Sequence, residues 1–191
     1  VTARMLLGLI ERLLYRIGKS EAALRRSEAE VRAILDGVVD AIFIHDNRTG
    51  DIIDVNLAAC RMFGYDREHF RGLRVEDVSS GVEPYTQRGA LELIGRIIEE
   101  KEVMAEWQAR RKDGSWFWAE INGRIGMVGD QERLLVTVRD ISKRKDAAER
   151  VRKLTRAVDQ SPVSIIITDT EGRIEYVNPA TCRLTGYEAD E

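Results

Sequence analysis

The sequence predicts an α+β protein in which short antiparallel strands and small helices form a core between long, highly charged helices. Three observations predict this. β-Rich runs broken by turn residues fill the stretch from Ala41 to Asp140, apolar residues at heptad spacing run through the segments on either side, and one short unit occurs twice.

Composition sets the bounds. Of the 191 residues, 43% are hydrophobic, enough for a real core, while 33% are charged, above the usual quarter or so, which points to solvated helices. A net charge of -3 supplies no basic field for phosphates, so nucleic acid is not an expected partner. The uncharged run Met5 to Ile10 stops at Glu11 and Arg12, far short of the ~20 apolar residues that span a bilayer. Apolar residues then continue at helical spacing through Leu13, Leu14 and Ile17, unlike a signal peptide with its small-residue cleavage site. Membrane contact is therefore not expected, although Arg4, Arg12, Arg16 and Lys19 would permit a surface anchor if they flanked the apolar face. The two cysteines, Cys60 and Cys182, lack metal-type spacing, which suggests a reducing, cytoplasmic setting and no metal site, in a parent protein free to be membrane-anchored.

The first helix carries Ile10, Ile17, Leu24, Val31 and Val38 in one heptad column and Leu6, Leu13, Ser20, Ser27 and Ile34 in the other. Such a and d positions favour a parallel two-stranded coil, weakened by the serines, with Ile10, Leu13, Ile17, Leu24 and Val31 as its seam. The alternative is an amphipathic helix lying on its own domain. Ser27 with Glu30 also fits a capping box, so a new helix starting there would carry Val31, Ile34 and Leu35 onto a sheet. Next, AIFIHD, the turn NRTG and DIIDVN read as a hairpin. Asn56 caps the helix LAACRMF, and Gly64 closes it. After a loop, Leu91, Ile94, Ile97 and Ile98 line one face of a longer helix that covers the sheet. Two strands meeting at Asp113-Gly114 form a second hairpin, and ERLLVTVRD is the last strand. Alternation in SWFWAEIN puts Phe117, Ala119 and Ile121 on one side and Trp116 and Trp118 on the other, where the helix bearing Val31, Ile34 and Leu35 would cover them. A connector helix follows, with Ala147, Val151, Leu154 and Val158 stepping four, three, four.

VNLAACRMFGY from Val55 matches VNPATCRLTGY from Val177 at seven of eleven positions, and AIFIHD is echoed by SIIITD. Strand, turn, strand, VNxAxxRxxGY, a KDG hairpin and a closing VRDIS followed by charged helix resemble the PAS family. Each motif is weak alone; their order is specific. The resemblance implies a five-stranded antiparallel sheet with short helices on one face around a pocket, flanked here by coiled-coil signalling helices. It divides the chain into a connector helix (1–26), a complete PAS domain (27–142), a second connector (143–158) and the opening of a second PAS domain (159–191). That second copy lacks the later strands, so its strand edges are expected to be mobile or to pair with another chain.

PAS domains resemble one another in fold while differing in ligand, so the resemblance implies a sensor without naming its signal. The long helix lacks the His that haem-binding members place there, and HFRGLRVEDVSS lacks the Cys of covalent-flavin members, so both cofactors are disfavoured. Non-covalent flavin stacked on Trp107, or a small organic ligand, stays open. By family topology Asn56, Cys60, Met62, Phe117 and Ala119 are the pocket candidates, unless they are filled core. His45 and His69 read as ordinary, partly exposed histidines. No catalytic constellation is present, so no enzyme activity is expected of this segment.

The resemblance implies a homodimeric, cytosolic input module of a two-component histidine kinase, coupled to a downstream output domain in the same protein. Asp140, Ile141 and Ser142 form the signal-transfer junction, with Asp140 as hinge or, alternatively, Asp140 or Ser142 as a simple helix cap. A ligand-free dimerisation spacer and the input region of a cyclic-di-GMP synthase or hydrolase are the rival readings.

Overall fold

The computed structural model describes residues 2–188, with the backbone alone for residues 2–14 and 17. It divides into two compact units, Val1–Asp140 and Ile141–Glu191.

The first unit opens with helix α1, Thr2–Gly37, which runs unbroken through Ser27. The capping box foreseen at Ser27 and Glu30 is thus not used. Helix formers such as Ala22, Ala23, Leu24, Arg25 and Arg26 precede Ser27 closely, so its N–H joins the running ladder and needs no new start. Leu24 and Val31 of the expected seam are 61% and 55% exposed; Ile10, Leu13 and Ile17 lie outside the described side chains.

The sheet comprises β1 (Ala41–Asp46), β2 (Ile52–Val55), β3 (Glu102–Arg110), β4 (Trp116–Val128) and β5 (Gln131–Asp140). All pairings are antiparallel, in the order β2-β1-β5-β4-β3. The last strand is therefore central, and the β1 and β5 ends meet: Ala41 faces Val138, and Arg139 holds Asp40 through both carboxylate oxygens at 3.0 and 2.6 Å. The β1–β2 ladder slips between Ile44 and His45, inserting one extra residue on β2. That bulge lets Ile52 and Val55, three positions apart, both turn inward at 3% exposure.

Asn56 caps α2 (Leu57–Phe63), and Gly64 closes it at φ 79°, a left-handed position that glycine takes without a Cβ clash. A single turn, α3 (Arg67–Phe70), and a 3-10 turn, Val75–Val78, lead to α4 (Gln87–Glu100). The buried face of α4 keeps Ile94 and Ile97 of the four expected residues but not Leu91 and Ile98. Ala90 and Ile97 are buried and Leu93 and Ile94 pack against the core, whereas Leu91 and Ile98 are 49% and 41% exposed. The four-three step from Ala90 through Ile94 to Ile97 defines the stripe better than the largest side chains do.

Phe117 and Ala119 are buried, and their cross-strand partners Ala109 and Trp107 share that face. On the other face Trp116 is 60% exposed, and Tyr85 meets Trp118 edge-on at 5.7 Å. The expected cover by α1 does not occur, since Val31 and Ile34 are exposed and the end of α1 packs beside α2.

The second unit holds α5 (Ser142–Asp159), a hairpin of β6 (Ile166–Thr168) and β7 (Ile174–Val177), and α6 (Pro179–Thr185). Val151 and Leu154 of the α5 stripe are 64% and 67% exposed. Among the described residues no helix is long and apolar enough to cross a membrane.

Candidate functional site

Between the sheet and α4 lies a cavity of about 80 Å³. Phe43 and His45 of β1 and Ile52 of β2 close one end; Trp107, Ala109, Ala119 and Ile121 form the sheet wall with Leu134, Val136 and Val138 of β5. Ala90, Leu93, Ile94 and Ile97 of α4 roof it, and Val75, Val78 and Ser79 complete the rim. Glycine is what lets the roof sit this close, because a Cβ on Gly123 would stand 2.4 Å from the Ile97 side chain. Since a cavity of about 150 Å³ takes a molecule the size of benzene, the space suits one molecule of a few heavy atoms.

The lining is apolar apart from three groups. Trp107 Nε1 donates to Ser79 Oγ at 2.9 Å, and that hydroxyl donates in turn to the Val75 carbonyl oxygen at 2.7 Å, so both are satisfied internally. Tyr85 packs edge-on to Trp107 at 5.3 Å and fixes the indole. The third group is His45. It was expected to be partly exposed at a strand end, yet it is 6% exposed, because Ala41, Phe43 and His45 share the inward parity of β1. Its Nδ1 lies 2.9 Å from the Gly50 carbonyl oxygen, and burial pushes its pKa below the ordinary histidine value.

Of the five pocket candidates, Ala119 lines the cavity; Asn56, Cys60, Met62 and Phe117 do not. Asn56 is buried but spends its whole amide on backbone: Oδ1 accepts from Ile42 N and Ala59 N, and Nδ2 donates to the Leu35 and Asp40 carbonyl oxygens. Phe63 is the α2 side chain that reaches the cavity, leaving Cys60 and Met62 packed at the flank of the core. Burial raises the Cys60 pKa, the reverse of what a reactive thiolate needs. Phe117 packs edge-on against Phe63 at 5.3 Å, on the inner face of the sheet but outside the cavity lining. The missed lining residues Val75, Val78 and Ser79 come from an irregular segment with no periodicity to read, whereas the signal for His45 was its parity with Phe43.

At the other end of the site, Arg111 ties three features together. Its Nη2 donates to Asp140 at 2.8 Å, its Nη1 donates to the Met62 carbonyl oxygen, and its guanidinium lies 4.0 Å over the Phe117 ring. The carboxylate of Asp140 thus faces the loop between β3 and β4, and Ile141, buried, precedes α5.

No thiol lines the cavity, His45 is the single imidazole on its wall, and Trp107 stands on the sheet side. Among the described residues no group of three or more His, Cys, Asp or Glu side chains is placed to hold a metal ion.

A family model described as "PAS domain" matches residues 39–143, and a second of the same description matches residues 152–191. The chain is 26% identical over 162 residues to the "Oxygen sensor protein DosP" of Escherichia coli, covering 81% of this chain and 19% of that protein. It spans no more than about a fifth of the curated relatives it matches. Among solved structures, the PAS domain of an HTR-like protein from Haloarcula marismortui superposes with a TM-score of 0.57 at 21% identity, covering 65% of this chain and 99% of that one. A PAS domain from a two-component sensor histidine kinase gives a TM-score of 0.51 at 20% identity, covering 61% and 97%.

Proposed function

The chain belongs to the PAS domain family, and from that membership we propose that it is the cytosolic input segment of a larger signalling protein, a histidine kinase in the first instance. The observation that carries this reading is the placement of an apolar cavity against the same central strand, β5, that leads into α5. A change in cavity occupancy moves α4 and the inner face of β5. The strand passes the shift to Asp140, where Arg111 links it to α2 and Phe117. Kinship with an oxygen sensor and likeness in fold to a sensor-kinase domain support the class of function. An output domain then lies in the remainder of the parent protein, and a cyclic-di-GMP enzyme is the alternative output.

A second reading has its own support. Leu24 and Val31 on α1, and Val151 and Leu154 on α5, expose apolar side chains at heptad spacing, as a ligand-free homodimeric spacer requires. Native mass spectrometry with an absorption spectrum, on the full chain purified without added ligand, separates the two. A dimer retaining a non-protein mass supports the sensor, and a bare dimer at every concentration supports the spacer. In the parent protein, Asp140→Ala is expected to abolish the output response while the domain stays folded; an unchanged response removes Asp140 as the hinge.

A further inference from the structure

His45, on the cavity wall, has one ring nitrogen that the fold leaves without a hydrogen bond among the described residues. A carbonyl oxygen only accepts, so in the contact with Gly50 the Nδ1 of His45 is the donor, and the neutral ring carries its proton there. Nε2 is then a bare lone pair. No hydrogen-bond partner meets it among the described residues, although the ring is 6% exposed and lines the cavity. Ser79 and Trp107 cannot serve it, being committed to one another and to Val75.

The hairpin itself has no need of the imidazole. In the second copy Thr168 stands at the matching ladder position, opposite Ile174 as His45 is opposite Ile52, and the bulged hairpin forms all the same. The surroundings restrict what can approach Nε2. No Asp, Glu, Lys or Arg lines the cavity, so an ionised ligand would lose its hydration with no counter-charge in return. The volume of about 80 Å³ suits a molecule of a few heavy atoms.

We propose that His45 is the polar anchor of the cavity, its Nε2 accepting a hydrogen bond from a small, neutral, mostly apolar molecule that carries one O–H or N–H donor, of which a short-chain alcohol is the simplest case. The proposal rests on the ligand-sensing reading and adds the chemical class. An acceptor-only molecule of the same size sets its own lone pairs against Nε2 and leaves both unpaired, which separates the two classes by about tenfold in affinity.

Propan-2-ol and propanone, which share a carbon skeleton and differ in the donor, are the probes. The full chain, labelled with nitrogen-15 in histidine, is titrated with each while the two ring nitrogens of His45 are followed by NMR. The expected result is an unprotonated Nε2 in the free protein that shifts saturably with propan-2-ol, propanone binding about tenfold more weakly or not at all. In His45→Leu the preference for the alcohol is expected to vanish. Equal affinities for the two probes, a proton on Nε2 in the free protein, or no saturable shift with propan-2-ol overturns the proposal. Since the wild-type pair decides by itself, a His45→Leu chain that fails to fold does not rescue it. A molecule retained in native mass spectrometry alongside an unshifted His45 overturns the anchor and leaves the sensor reading standing.

Discussion

The two copies of the repeated unit obey the same local rules and differ in what buries them. In the first, Asn56 caps α2, takes the N–H of Ile42 and donates to the carbonyl oxygens of Leu35 and Asp40. In the second, Asn178 caps α6, takes the N–H of Ile165 and donates to those of Val158 and Val163. Both hairpins bulge before the same ladder position, and both helices close on a glycine at φ 79° and 82°. Burial diverges. Phe43, opposite Val55, is 3% exposed, whereas Ile166, opposite Val177, is 50% exposed. Caps, turns and bulges are written within some twenty residues, but a buried face needs strands from far along the chain, and among the described residues the first copy alone has them beside it.

Substitution of matched residues tests that contrast, and the largest effect belongs to the core. Phe43 meets Phe63 and Phe70 edge-on at 5.4 and 5.5 Å, so Phe43→Ala is expected to cost about 3–5 kcal/mol in urea unfolding, whereas Ile166→Ala costs under about 0.5. Comparable losses at both sites would mean that the second copy has a core of its own.

The asparagines come next. Asn56→Ala strands two backbone N–H groups and two carbonyl oxygens and is expected to cost about 2–4 kcal/mol. Asn178→Ala should leave the unfolding transition reported by tryptophan in place, since Trp107, Trp116 and Trp118 all lie in the first unit, while hydrogen exchange accelerates over residues 161–185. A shared shift of the transition would join the two units into one cooperative body.

A smaller effect attaches to the helix end. Arg67 pairs with Asp36 at 2.9 Å and donates to the Val55 carbonyl oxygen at 2.7 Å; Asp36 also accepts from Leu57 N. In the second copy Asp159 instead accepts from the Tyr176 hydroxyl. With the Arg67 pair about a quarter exposed, Arg67→Ala should cost about 1 kcal/mol and speed amide exchange near residues 33–37.

The smallest is a pH effect confined to the first copy. The folded pKa of His45 lies below the unfolded value near 6.5, with burial outweighing the hydrogen bond to Gly50 and the charge of Asp51. The unfolded chain therefore binds a proton first, so this contribution is complete above about pH 6.5 and declines as pH falls from there toward the folded pKa. Between pH 7 and 5 the wild-type chain should lose stability that a His45→Leu chain retains; parallel slopes would show that His45 is not the group responsible. The carboxylate of Asp40, lowered by its bond to Arg139, acts only below about pH 4.

The fold class, the strand order of the two hairpins and the caps at Asn56 and Gly64 were legible because each depends on neighbours in sequence. The roof of the cavity was less so. Reading α4 by its largest aliphatics found Ile94 and Ile97 but added Leu91 and Ile98, while the buried stripe also rests on Ala90, beside Gly89, whose Cβ would stand 1.8 Å from the Pro84 carbonyl oxygen. Such close approach is invisible without the fold. Ser79 and Trp107 meet across 28 residues, and no local pattern announces that bond. His45 was legible in principle, since its parity with Phe43 already placed it inside.

Because β1 and β5 are neighbours, the chain leaves the first sheet beside the point where it arrived. Ala41 and Val138 sit opposite one another on adjacent strands, and the Asp40–Arg139 pair clasps the two crossing points. Paired antiparallel residues are about 5 Å apart, little more than one peptide step. Residues 41–138 are thus a closed excursion that returns the chain almost to its starting point. Such a unit can be excised, duplicated or inserted between two segments with little change in the distance between the joined ends.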